Sequence, residues 1–375
     1  MFDSIVVGLG AAGSSSAFHL SSRGRATLGL ERFGPVHSHG SSHGRTRIFR
    51  TAYSEGSEYV PLTRRAQELW RDLATATGER ILRRTGGLYI GRRDNPTISG
   101  AIRSAIAFSL VHEVLVPSEV SRRFPQFSLE ADEVAVWDPE AGALFPENCI
   151  RAYASQAIER GAELHYGEAV ESWTATSGGV EVRTRRETYH ARSLVLSAGP
   201  WTSNLVGDPA LPLEIERQFV LWFPSRDPGA ASPDRMPVFL WNRGPEMHTY
   251  GLPDFGDGVK VGSWAGKVTA SPESADRVLQ EGDAAPIREF VARSLRGVEP
   301  RESDSVSCLY TNAPDGHFVL GRHPKLPNVM IVSACSGHGF KFASVVGELV
   351  AQLVCDGRTE LDISRFDPAR FRVRR

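Results

Sequence analysis

The chain has 375 residues and a mass of 41.0 kDa, room for two or three domains at ~150 residues each and for a large buried core. Hydrophobic residues at 41% and charged residues at 23% match a soluble globular protein and exclude a disordered, collagen-like or coiled-coil chain. Lysine plus arginine number 43 against 44 aspartate plus glutamate, a formal charge of −1, so no electrostatic footprint for nucleic acid or an anionic membrane is expected.

Residues 2–7 form a short apolar run that opens into Gly8-Leu9-Gly10-Ala11-Ala12-Gly13. A helical pattern to about Arg23 and a second strand, Ala26 to Leu30, ending at Glu31, come next. No basic or apolar leader precedes the first strand and no 18-residue apolar run occurs, so a cytoplasmic protein without a membrane span is expected.

Gly8, Gly10 and Gly13 therefore match GxGxxG between a strand and a helix, with Glu31 standing 18 residues past Gly13. The first glycine permits the tight turn, the second lets backbone approach a pyrophosphate, and the third allows close helix packing. The helix N-terminus, with Ala11 and Ala12 in its first turn, offers unpaired N–H groups and a positive dipole end, and Glu31 is placed to accept from ribose hydroxyls. The motif predicts a dinucleotide and does not distinguish FAD from NAD.

A loop rich in His, Gly, Ser and Arg runs from His37 to Arg50, too long and too basic for a mere connector. Glu58 to Thr77 reads as a helix with Leu62, Ala66, Leu69, Trp70 and Leu73 on one face, and Gly86 to Ile90 as a strand. Residues 94–138 carry helical and irregular segments without a motif. Asn148 to Arg160 is helical again, short strands fill Ala162 to His190, and Leu194 to Gly199 re-enters the first sheet. From Leu213 to about Val306 the pattern reads as longer strands bearing Phe219, Trp222, Phe239, Trp241, Tyr250 and Trp264, an antiparallel pocket wall. A strand from Val329 to Ser333, a second glycine turn at Ser336-Gly337-His338-Gly339 and a helix from Phe340 to Cys355 close the chain.

Cys149, Cys308, Cys335 and Cys355 lack CxxC spacing, which fits a reducing compartment, and no HxxxH or carboxylate cluster points to a metal. Only four of the 43 basic residues are lysines, Lys260, Lys267, Lys325 and Lys341, so each lysine invites a question. By itself Cys308 reads as an inert buried thiol, Arg47 and Arg50 as a solvated pair, and Lys341 as an exposed helical lysine.

From Ile5 to about Gly357 the chain resembles the monomeric sarcosine oxidase and N-methyltryptophan oxidase group of FAD-dependent amine oxidases. The likeness rests on the Gly8–Gly13 turn, Ser42-His43-Gly44-Arg45-Thr46-Arg47-Ile48-Phe49-Arg50 with Ala52-Tyr53, and Glu147 to Tyr153. Arg217-Gln218, Cys308-Leu309-Tyr310-Thr311 and Ser336-Gly337-His338-Gly339-Phe340-Lys341-Phe342 extend it.

The resemblance implies an α/β protein, α+β overall, in which a Rossmann-like FAD domain is assembled from residues 1–85, 148–212 and 301–375. A substrate domain with a mostly antiparallel sheet would comprise 86–147 and 213–300. FAD would be held by the glycine turn, Glu31, Arg32, Ser42, His43, Thr46, Arg47, Ala198, Gly199, Trp201, Gly337, His338, Gly339 and Lys341, and joined covalently to Cys308. Arg50 and Lys341 would grip the substrate carboxylate, Arg47 would sit at the flavin face, and Lys260 would favour oxygen reduction electrostatically. Tyr250 and Tyr310, with Leu240, would shape the substrate cavity.

Trp264 stands where the sarcosine oxidases carry a histidine, and Arg45 where an acidic residue is common. An indole in place of an imidazole changes volume and hydrogen bonding, which leaves a cyclic or larger secondary amino acid as open as sarcosine. The implied enzyme is a monomer that oxidises a carboxylated secondary amine to an imine and reduces O2 to H2O2. The alternatives are a dehydrogenase or biosynthetic desaturase on the same scaffold and a non-catalytic dinucleotide-binding module.

Overall fold

The computed structural model describes residues 1–207, 211–244, 248–264 and 266–371. Strand Phe2–Val7 lies between Thr27–Glu31 and Thr188–Leu196, with Glu163–Tyr166 beyond the first and Leu326–Ser333 beyond the second, all parallel. Ile5, Val6, Leu28, Val195 and Ile331 are fully buried, as parallel strands covered on both faces require. Antiparallel strands Val170–Thr176, Gly179–Thr184 and Val319–His323 extend this sheet.

Helix Ala11–Ser22 packs against helices Pro146–Glu159 and Ala343–Asp356. Its small residues allow the close approach: a Cβ on Gly347 would lie 2.1 Å from Ser15 Oγ. The parallel register sets the carboxyl ends of Phe2–Val7, Thr188–Leu196 and Leu326–Ser333 side by side, so the turns at 8–13, 197–199 and 334–339 gather in one crevice.

The second sheet is antiparallel except where Val238–Asn242 runs parallel to Gly87–Arg92. Its longest strand, Glu214–Phe223, pairs with Val259–Ser263 on one edge and with Asp304–Asn312 on the other. Alternation sorts the faces: Phe219, Leu221, Phe223, Val259 and Val261 enter a core with Phe239 and Trp241, while Lys260 projects from the opposite face. That core is closed by helix Glu281–Ser294 through Ala284, Ile287, Phe290 and Val291.

This helix corrects the expectation of strands up to Val306. Its apolar residues recur every three or four positions, and Asp283 caps the N-terminus by accepting from the Gln280 N–H at 3.1 Å. Pro286 and a mixed-charge surface obscure the period. No helix among the described residues is long and apolar enough to cross a membrane.

Candidate functional site

A cavity of about 840 Å³ runs from the glycine turn to the antiparallel sheet. At one end backbone geometry dominates. Gly8 has φ +87°, and a Cβ there would lie 2.7 Å from the Ser197 carbonyl oxygen; one on Gly13 would lie 1.8 Å from the Gly8 oxygen. Only glycine fits either position. Gly10, Ala11 and Ala12 line the cavity, with Ala11 N–H donating to Ser42 Oγ at 3.3 Å. This bare turn at a helix N-terminus fits a dinucleotide pyrophosphate.

Glu31 lines the same end and accepts from Leu9 N–H at 2.8 Å and Phe33 N–H at 2.9 Å, with His37 Nε2 at 3.3 Å. Burial raises its pKa, but those hydrogen bonds outweigh it and hold the carboxyl below its ordinary value. Ala198, Gly199 and Trp201 complete the wall, and Glu273 ties Trp201 Nε1 at 2.6 Å to Arg32 at 3.0 Å.

The basic loop crosses the middle of the cavity. Gly44 (φ +99°) and Arg45 (φ +68°) are both left-handed, and Glu147 Oε1 fastens their amides at 2.8 and 3.0 Å. Arg47 lines the cavity, its guanidinium held by the Thr46 carbonyl at 2.9 Å and the Ser41 carbonyl at 3.0 Å. Ser42 and Thr46 also line it, whereas Arg45 turns away to Asp304 and stacks 4.3 Å over Trp222.

Three expected residues lie behind this loop instead of on the cavity wall. Lys260, 2% exposed, donates from Nζ to the Gly44 carbonyl at 2.7 Å and the Thr46 carbonyl at 2.6 Å. Burial, with Arg47 adding to it, pushes its pKa well below the ordinary lysine value. Cys308 is buried opposite Gln218, and burial raises its thiol pKa against the pull of Arg47 and Lys260. His43 is buried with neither ring nitrogen partnered among the described residues, its pKa lowered to about 3 by burial and by Arg47.

At the other end charge is concentrated. Arg50, 2% exposed, pairs with Glu55 and lies 4.0 Å over the Tyr53 ring. Burial opposes both charges, but each partner more than offsets it, so the arginine pKa is raised and that of the Glu55 carboxyl lowered. Lys341 enters from the second glycine turn, where Gly337, His338 and Gly339 line the cavity; its Nζ donates to the His338 carbonyl at 2.5 Å and to Tyr53 Oη at 3.4 Å.

Facing these cations are Leu240, Tyr250, Trp264 and Tyr310. Tyr250 and Tyr310 meet at 3.4 Å through their hydroxyls, and Trp264 packs on His248 with ring centroids 3.8 Å apart. One end of the cavity thus holds the two cations Arg50 and Lys341, with an apolar and aromatic wall beside them.

Glu55, Glu147, Glu273 and Cys335 were not singled out by sequence reasoning. Cys335 lines the cavity while Cys308 does not, and its Sγ accepts from Thr311 N–H at 3.4 Å. Glu55, five residues past Arg50, carried the one local signal: an acid close in sequence to an arginine that the family likeness places in the site.

A family model described as FAD dependent oxidoreductase matches residues 3–353. The chain is 40% identical to monomeric sarcosine oxidase of Streptomyces avermitilis, covering 99% of this chain and 98% of that protein. It is 32% identical to N-methyl-L-tryptophan oxidase of Yersinia pestis, covering 99% and 100%. Among solved structures, the open form of a mutant of NikD, an unusual amino acid oxidase essential for nikkomycin biosynthesis, superposes with a TM-score of 0.88 at 25% identity, covering 98% and 97%. The glycine cradle, the crevice at the strand ends and these matches agree, and the chain belongs to the FAD dependent oxidoreductase family.

Proposed function

We propose that the protein oxidises the C–N bond of a carboxylated secondary amine, N-methyl or cyclic, to an imine, with O2 reduced to H2O2. The observation that carries this reading is the convergence of Arg50 and Lys341 on one cavity end, opposite Tyr250, Trp264 and Tyr310. Two such cations suit the two oxygens of a carboxylate, and the aromatic wall suits the carbon skeleton.

FAD would be held by the Gly8–Gly13 turn, Glu31 and the loop 42–47, and would supply a two-electron acceptor for the carbon next to nitrogen that O2 can reoxidise. Arg50 and Lys341 orient the carboxylate, so the amine and its neighbouring carbon are presented at a fixed place. Arg47 stabilises negative charge developing beside it. The apolar wall keeps bulk water from the C–N bond, and the amine reacts in its neutral form, which needs no dedicated base. His338, lowered to about 4 by burial, is likewise neutral. One hydride, carrying two electrons, leaves the substrate carbon, the nitrogen lone pair forms the C=N bond and the N–H proton is released, and O2 takes up those two electrons with two protons to give H2O2.

The reading extends to a monomer of cytoplasmic location with FAD covalently joined to Cys308. The FAD-holding body would comprise 1–85, 148–212 and 301–375, and the substrate-holding body 86–147 and 213–300. Strand Asp304–Asn312, from the first, hydrogen-bonds into the sheet of the second. Acid-denatured protein is expected to keep its flavin in the precipitate, and Cys308→Ser to release it.

Anaerobic mixing with sarcosine, proline, pipecolate, N-methyl aromatic amino acids and their primary counterparts tests the activity. Bleaching of the oxidised flavin by secondary amines alone supports it; no bleaching by any defeats it. A second reading, the same oxidation with an electron acceptor other than O2, is favoured by one observation: Lys260 Nζ is engaged with two loop carbonyls. An unchanged aerobic half-reaction in Lys260→Met would remove the oxygen role from this lysine.

A further inference from the structure

Two groups at the carboxylate end are given no task toward the substrate in the reading above, Tyr53 and the side chain of His338. Both are buried, at 1% and 7% exposure. Tyr53 Oη lies 2.6 Å from His338 Nδ1, and His338 Nε2 lies 3.1 Å from the Gly316 carbonyl oxygen.

A carbonyl only accepts, so Nε2 carries the imidazole proton and Nδ1 is the acceptor. The Tyr53 hydroxyl must then donate to Nδ1 and offers Lys341 only a lone pair. Lys341 thus meets two acceptors, the His338 carbonyl at 2.5 Å and Tyr53 Oη at 3.4 Å. An ammonium has three N–H donors, so one remains for the cavity that Lys341 lines.

We propose that Tyr53 and His338 are positioning residues that keep Lys341 an ammonium with one N–H turned to the substrate carboxylate, through a directed chain running Lys341 to Tyr53 to His338 to the Gly316 carbonyl. The proposal deepens the amine-oxidase reading and rests on it for the carboxylate. Burial and Arg50 favour the neutral amine at Lys341, and Glu55 favours the charged form. Acceptors on two sides tip the same balance toward charge. Arg50 and Glu55 also face His338, and burial holds it neutral at physiological pH, the state in which Nδ1 accepts. Tyr59 and His317, 2.9 Å apart, pack beside this chain.

Binding of a carboxylate then draws in one proton wherever the free lysine is neutral and the liganded one charged. Affinity falls about tenfold per pH unit across that window.

The test uses the holoenzyme and cyclopentanecarboxylate, a ring carboxylate without an oxidisable amine. Its dissociation constant is read from the visible difference spectrum of the flavin between pH 6 and 10, and proton uptake from calorimetry in two buffers. His338→Leu frees the Tyr53 hydroxyl to donate to a neutral Lys341, and Tyr53→Phe removes an acceptor. Each is expected to start the loss of affinity at least one pH unit lower, and so to weaken binding about tenfold at pH values above the wild-type onset. His338→Gln, whose amide can donate to Gly316 and accept from Tyr53, is expected to restore the wild-type profile. Wild-type pH profiles in both His338→Leu and Tyr53→Phe overturn the proposal. If Lys341→Met leaves binding unchanged, the carboxylate assignment itself has failed.

Discussion

The two ends of the cavity are built on different physics. The Gly8–Gly13 turn itself offers no charge, and Glu31 is the acid beside it; the turn is an absence of side chains, fixed by backbone contacts as short as 1.8 Å for an added Cβ. At Arg50, Glu55 and Lys341 the site is buried charge, held by an ion pair and a hydrogen-bonded chain. A steric site tolerates no addition, whereas an electrostatic one tolerates reshaping if its charges stay matched.

The largest expected effect comes from Gly13→Ala. Its Cβ would overlap the Gly8 carbonyl, and neither backbone can yield, so a loss of roughly 3 kcal/mol or more is expected even without flavin. Gly10→Ala separates packing from ligand: its Cβ would meet only Ser42 Oγ at 3.5 Å. Thermal unfolding of flavin-free protein should be little altered, while flavin content after purification falls. Equal losses of flavin-free stability in the two variants would erase the distinction.

Arg50→Met breaks the electrostatic end. Glu55 is left without its cation in a site where removal of one partner costs about 3 kcal/mol. Adding Glu55→Gln is expected to recover most of that stability in urea unfolding but none of the binding of carboxylated amines. If the double variant binds amines normally, the carboxylate is held elsewhere.

The steric end was legible because a strand, three glycines, a helix and an acid fall within thirty-one residues and each position has one physical reason. At the electrostatic end Arg50 and Lys341 come from opposite ends of the chain, and their meeting depends on the parallel register that aligns Leu326–Ser333 with Thr188–Leu196. Their roles came from family likeness, not from spacing. Glu147 carries no role legible in the sequence, since nothing local tells that a helix start grips the left-handed pair Gly44 and Arg45. Lys260 alternates with Val259 and Val261, a pattern equally suited to an outward lysine. Only the pairing with Glu214–Phe223 turns it under the loop.

Acid compares the ends on one sample. Burial lowers His338 and His248 to about 4, and also His19 to about 4 and His43 to about 3, from an ordinary 6.5. A base with a depressed folded pKa is protonated first in the unfolded chain, so stability falls as pH drops from about 6.5, levelling below about 4 for His338, His248 and His19 and below about 3 for His43. Each histidine contributes up to about 3 kcal/mol. Glu55, depressed in the fold, adds a further loss below the ordinary carboxylate range as pH approaches its folded value. Urea midpoints from pH 7.5 to 4 should show this slope, and His43→Phe should flatten it more than any exposed histidine replacement does.

The smallest effect concerns the wall opposite the cations. Trp264 presents a flat apolar face beside Tyr250, with ring centroids 6.4 Å apart, and is backed by His248 at an interplanar angle of 71°. A ring-bearing amino acid gains dispersion contact from such a face, while sarcosine, with a methyl group alone, gains little. Trp264→His is therefore expected to raise KM for proline or pipecolate five- to tenfold, about 1 kcal/mol, with kcat nearly unchanged and the KM of sarcosine altered less than threefold. The split matters more than the size. A loss confined to KM places the indole in binding that substrate and transition state share, and equal losses for ring and methyl substrates would mean that this wall does not select between them.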